Sequence, residues 1–142
     1  MKHNDWILFL ISRVNYKVDR FLMNEFKNHG IEGISPSHGE ILAALQMFGE
    51  IQMKDIPQII DKDKSTVTAL VNKLTGLGLI EKINHKTDKR ASYIKLTEKC
   101  DSIREPLSLI SEKLKEKAYA NLTDDEKNVM SKLLIKINKS FQ

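Results

Sequence analysis

The sequence predicts a mainly α-helical fold carrying one small β-hairpin, and three observations lead there. Apolar residues recur at steps of three and four over most of the chain. Two short stretches, 79–83 and 92–96, instead read as strands joined by a charged tip. The net charge gathers around that hairpin, and 142 residues are the size of one ordinary domain.

Taken in order, Ile7, Leu10, Val14, Val18, Phe21, Leu22 and Phe26 lie on one stripe of a helix over residues 5–28, which His29-Gly30 and Glu32-Gly33 end. Ser35-Pro36 supplies a cap with proline at the first helical position. Ile41, Leu42, Leu45 and Phe48 then form the apolar face of a second helix closed by Gly49. Residues 54–60 and 65–77 form a helix pair too short to stand alone, packing through Ile56, Ile59, Ile60, Val67, Leu70, Val71 and Leu74. Gly76 and Gly78 stop its second helix, and the hairpin after it is the one plausible sheet.

Beyond Thr97, Ile103, Leu107, Ile110 and Leu114 alternate by four and three, the spacing of a seam between packed helices. Pro106 lies inside this pattern and predicts a bend or a delayed start. Thr123-Asp124-Asp125-Glu126 is a capping box, and Val129, Met130, Leu133, Leu134, Ile137 and Phe141 make an apolar stripe behind it.

The chain has 23 Lys and Arg against 19 Asp and Glu, a formal charge of +4. Residues 61–99 hold nine basic residues (Lys62, Lys64, Lys73, Lys82, Lys86, Lys89, Arg90, Lys95, Lys99) and five acidic ones (Asp61, Asp63, Glu81, Asp88, Glu98), so the whole surplus sits there. A polyanion partner is expected at that segment. The second helix of the pair opens with Lys64, Ser65, Thr66 and Thr68 and continues through Ala69, Asn72 and Lys73. These residues suit a major groove: small hydroxyls approach the backbone, Asn72 pairs with an adenine edge, and the lysines neutralise phosphates. The plainer reading makes Ser65 and Thr66 helix caps and the lysines a solvated face. The hairpin tip adds His85, Lys86, Lys89 and Arg90, and an arginine on such a finger enters a narrow minor groove.

Residues 56–82, followed by Asp88-Lys89-Arg90-Ala91 and Leu96-Thr97, resemble the MarR family of bacterial winged-helix transcriptional regulators. Asp-x-Arg, an apolar strand and Leu-Thr match the family's wing; Ser65-Thr66-Val67-Thr68 through Leu74, with Gly78-Leu79-Ile80, match its recognition helix and exit. The resemblance implies a winged helix-turn-helix at 34–97 and a helical dimerisation region at 1–33 and 98–142. It further implies a homodimer on a palindromic operator in double-stranded DNA, acting as a repressor and released by a small-molecule or other signal. Its recognition-helix positions fall on Ser65, Thr66, Thr68, Ala69, Asn72 and Lys73, and its wing arginine on Arg90, oriented by Asp88. Three positions depart from the pattern: Ala69 where arginine is common, Pro57 inside the first helix of the pair, which shortens it, and Cys100 where glycine often stands. The alternative is the same scaffold used only as a protein-interaction module.

Some family members sense phenolic ligands between the dimerisation helices and the DNA-binding part; Trp6, Phe9, Arg13, Tyr16, His38 and Phe48 are the candidates here, although aromatic residues at helical spacing are more often core. Cys100 is the only cysteine, so no internal disulfide forms, a reducing compartment fits, and a small packing residue is the favoured reading over a redox sensor. His3, His29, His38 and His85 lack metal-ligand spacing. Gly76-Leu77-Gly78 lacks the third glycine of a dinucleotide fingerprint, and no nucleophile motif stands out, so neither a cofactor nor an enzyme is expected. No apolar run approaches a membrane span, and a cytoplasmic location is expected.

Overall fold

The computed structural model describes residues 2–85 and 87–142. A 3-10 turn, His3–Trp6, leads into α1, Ile7–Asn28. Gly30, at φ +68°, ends α1: its N–H reaches the Lys27 carbonyl at 3.1 Å and that of Ile31 reaches Phe26 at 2.8 Å. Two helix-terminal carbonyls are thus satisfied by a left-handed residue that glycine adopts without a Cβ clash.

The second helix, α2 (Pro36–Phe48), begins as the Ser-Pro pair predicts and ends before Gly49. Ile41, Leu42 and Leu45 are buried, but Phe48 is 60% exposed. It lies in the last turn, beyond the reach of the core that the other three enter. A strand that periodicity does not reveal follows: β1, Ile51–Gln52, is only two residues long and gains its partners from the hairpin.

A 3-10 turn, Met53–Asp55, precedes α3, Ile56–Ile59, a single turn with Pro57 near its start. The reduction expected at Pro57 is present, and Ile59, expected in the packing, is 44% exposed because so short a helix turns only one side inward. The N–H of Lys62 returns to the Pro57 carbonyl at 3.0 Å, with Asp61 at φ +53° where glycine is usual. Aspartate tolerates that conformation better than most side chains.

Next, α4 spans Lys64–Gly76, with Val67, Val71 and Leu74 buried. The hairpin is longer than predicted: β2, Ile80–His85, pairs antiparallel with β3, Asp88–Leu96, in a sheet of order β1-β3-β2. Most of the anticipated loop residues therefore lie on strands.

A 3-10 turn, Glu98–Cys100, opens α5, Asp101–Tyr119, which runs unbroken through Pro106; the start is not delayed. Pro106 is the sixth residue of α5, so its missing N–H leaves the Ser102 carbonyl without that ladder bond while the helix continues. Ile110 is buried, and Ile103 and Leu107 pack beside it on the core. Across this seam Lys113 meets the buried Glu25 of α1 at 2.7 Å, so the one buried carboxylate among the described residues has its counter-charge. Last comes α6, Asp124–Lys139, whose capping box is formed: Glu126 N–H donates to Thr123 Oγ1 at 3.1 Å and Thr123 N–H to Glu126 Oε1 at 3.2 Å.

One closed core holds the middle of the chain: Phe26 of α1, α2, α3, α4, the sheet and Ile110 of α5. Both ends depart from it. Ile7, Leu10 and Val14 of α1, and Val129, Met130, Leu133 and Leu134 of α6, are exposed, facing a groove of about 1220 Å³ between α1 and α6, and Phe141 beyond α6 is exposed too. The first half of the α1 stripe and most of the α6 stripe are thus uncovered in the single chain.

Candidate nucleic-acid interface

The polar face of α4 is built from its cap outward. Asp63 Oδ1 accepts the Thr66 N–H at 2.7 Å and the Ser65 hydroxyl at 2.8 Å. These bonds, the Thr66 backbone N–H first, hold the Asp63 carboxyl below the usual carboxylate range. Thr68 Oγ1 donates back to the Lys64 carbonyl at 2.9 Å. The Ser65 and Thr68 protons are therefore used inside the helix, and their oxygens face outward as acceptors.

Lys64, Ser65, Thr66, Thr68, Ala69, Asn72 and Lys73 are all exposed, opposite the buried Val67, Val71 and Leu74. Sequence periodicity alone places them so, and the structure brings the seven to one face. The stem of Lys73 passes Gly33, where a Cβ would lie 3.6 Å from its Cε.

The wing is less simple. Ile83 pairs with Tyr93, and the next matched pair is His85 with Asp88, so one residue of β2 stands opposite four of β3, residues 89–92. Such bulges re-aim side chains and bend a strand. Ala91 turns inward, 6% exposed, and Arg90 beside it is exposed. Lys86, and the side chains of Asp88 and Lys89, lie outside the described residues, as does the expected orientation of Arg90 by Asp88.

His85, expected on the tip as a groove contact, is a strut. Its Nε2 lies 2.8 Å from Glu50 Oε2, and its ring meets Tyr93 edge-on at 4.7 Å. Lys95 and Lys99 of the basic window are also engaged within the fold: Lys95 with Glu81 across the strands at 3.4 Å, and Lys99 on the Leu77 carbonyl at 2.6 Å. A charge count cannot anticipate these partners, because they are set by cross-strand register and helix exit.

Of the six ligand candidates, three are in contact with one another. Trp6 and Phe9 meet at 6.3 Å with Arg13 over the Trp6 ring at 5.5 Å, while Tyr16 and Phe48 are exposed. His38 completes the α2 capping box, its Nδ1 accepting the Ser35 N–H at 2.9 Å. A different cavity, about 410 Å³, lies between α1, α2 and α5, lined by Leu22, Phe26, Glu40, Leu42, Cys100, Arg104 and Leu107 among others. None of the six lines it. Burial raises the Glu40 carboxyl above its ordinary value, Asp19 adding to the rise and Lys62 opposing it. Cys100 is buried and its thiol is pushed up by that burial, with Asp101 adding and Arg104 opposing; it is a packing residue.

A short helix, a turn, a second helix with an exposed polar face and an attached antiparallel hairpin together define a winged helix-turn-helix protein. Residues 32–91 match the model of the MarR family. Over 129 residues the chain is 28% identical to the multiple antibiotic resistance protein MarR of Escherichia coli, covering 90% of this chain and 88% of that protein. It is 25% identical to the HTH-type transcriptional regulator MgrA of Staphylococcus aureus, covering 99% and 94%. A crystal structure of a mutant E. coli MarR complexed with operator DNA superposes with a TM-score of 0.76 at 26% identity, covering 90% of each chain. A MarR protein from Peptoclostridium difficile shares the fold, with a TM-score of 0.80 at 24% identity over 96% and 87% of the two chains. Through residues 32–91 the chain matches the MarR family, and over most of its length it is similar in sequence and fold to regulators of that family.

Proposed function

We propose that the protein is a sequence-specific DNA-binding transcriptional regulator that holds a palindromic operator as a homodimer. The observation that carries this is the exposed face of α4, wholly polar apart from Ala69, above three buried apolar residues and flanked by a bulged wing. Lys64 and Lys73 neutralise phosphates, Asn72 reads an adenine edge, Thr66 approaches the backbone, and the Ser65 and Thr68 oxygens accept from donors on base edges. Lys86, Lys89 and Arg90 give the wing its charge, with Asp88 two residues before the arginine. Residues 1–33 and 98–142 supply the dimer contacts through the uncovered α1 and α6 stripes. Similarity to regulators, one of them solved on operator DNA, supports the same reading.

Repression follows where the operator overlaps a promoter, because a bound dimer excludes polymerase. A small-molecule effector entering the α1, α2 and α5 cavity would release it.

Selection of bound duplexes from a random pool, followed by anisotropy titration, tests this. A palindrome with half-sites about one helical turn apart is expected. Affinity should fall steeply with salt, the log–log slope about −0.9 per phosphate neutralised. Asn72→Ala should cost about 1–3 kcal/mol on the selected site and relax one base position. An affinity independent of salt, or a selection that returns no preferred sequence, refutes the proposal.

A further inference from the structure

We propose that Lys99, counted by sequence with the cations that attract DNA, is a positioning residue that locks the exit of the recognition helix α4; this rests on the operator-binding reading. The last carbonyls of a helix have no partner within it and carry the negative end of its dipole. In α4 the N–H groups of Leu77, Gly78 and Leu79 take the Lys73, Thr75 and Leu74 carbonyls, and the carbonyls of that exit turn, just past Gly76, are met from the far side of the wing. Lys99 Nζ donates to the Leu77 carbonyl at 2.6 Å, Thr97 Oγ1 donates to the Gly78 carbonyl, and the Thr97 N–H donates to the Leu79 carbonyl at 3.1 Å. Three successive carbonyls are therefore held by two residues of one short segment.

Gly78 is shaped for this tie. It sits at φ +76°, closing the helix through its N–H to Thr75 at 2.9 Å and that of Leu79 to Leu74 at 3.1 Å. A Cβ there would stand 3.3 Å from Lys99 Cδ and 3.6 Å from its Nζ. The lysine arm thus lies across a residue that offers no side chain. At the other end Asp63 pins Thr66 and Ser65. Between these pins α4 rests on Val67, Val71 and Leu74, an apolar bed that fixes depth but is weakly directional. Hydrogen bonds at both ends set the tilt and roll that base-edge contacts require.

A tie of this kind acts on specific binding and leaves non-specific phosphate attraction alone. The experiment uses the full chain, the selected operator, a scrambled duplex of equal length and a salt series. Lys99→Met is expected to weaken operator binding about three- to ten-fold, with scrambled-duplex affinity and salt slope unchanged, and Lys99→Arg to restore most of the loss. Lys99→Gln, which keeps the stem and a neutral donor, is the second variant should the methionine protein not fold; a smaller operator-only loss supports the tie, and wild-type affinity overturns it. Equal losses on both duplexes with a slope lower by about one make Lys99 a phosphate contact and overturn it too. So does a lowered melting temperature with the operator-to-scrambled ratio intact. A wild type that distinguishes no duplex overturns the operator reading itself, whereas an operator-binding wild type with an unaltered methionine variant overturns only the tie.

Discussion

Replacing Leu133 of α6 by alanine asks whether the uncovered apolar stripe is where two copies meet. Leu133 is 52% exposed in the single chain, among Val129, Met130 and Leu134. Full burial of a leucine side chain contributes about 1.5–3 kcal/mol, so covering the exposed half contributes about 0.8–1.5 kcal/mol. Twofold symmetry repeats the loss, giving about 1.5–3 kcal/mol for the dimer. That is roughly a 10- to 150-fold weaker association. Leu133→Asp adds the cost of desolvating a carboxylate and should leave monomers. Sedimentation equilibrium over a concentration series reads the constant, with far-ultraviolet circular dichroism checking that each variant keeps its helices. An association constant unmoved by alanine, together with an aspartate variant that stays dimeric, would refute the assignment of this face.

Three further outcomes follow from particular contacts. Burial, and then the neighbouring Lys73, hold the His38 pKa below its ordinary value, so the unfolded chain takes up the proton first. Stability is therefore full above about pH 6.5 and lost as the pH falls from there toward the folded pKa; His38→Gln, which can still complete the box, should flatten that arm of a melting-temperature profile. Ile94 is fully buried in β3, opposite Ile51 and Lys82, so Ile94→Ala should cost about 2–5 kcal/mol in urea unfolding; a cost under about 1 kcal/mol would show that the sheet is not packed as described. Cys100 should label slowly with iodoacetamide in the native protein and quickly once unfolded, and rapid native labelling would contradict its burial.

Helix positions and the polar face of α4 were readable before any coordinates because both rest on a period of 3.6. Val67, Val71 and Leu74 mark one side, and Ser65, Thr68 and Asn72 must then lie on the other. Caps were readable for a similar reason: Ser35-Pro36 and Thr123 with Glu126 act within one turn of their own backbone. Leu96-Thr97 was visible as a motif, but its work at Gly78 was not.

What the chain determined by itself was therefore local: where helices start and stop, which side of each is apolar, and the motifs that carry the family resemblance. Tertiary structure decided everything that depends on a partner distant in sequence. The two residues of β1 gain meaning only beside β3; His85 becomes a strut only because Glu50 comes within 2.8 Å; Lys99 turns from the DNA cations to the Leu77 carbonyl. The apolar stripes of α1 and α6 carry the sharpest lesson, since periodicity marks them for burial and the single chain leaves the first half of one and most of the other open. Periodicity states that a face must be covered, and only packing geometry states by what.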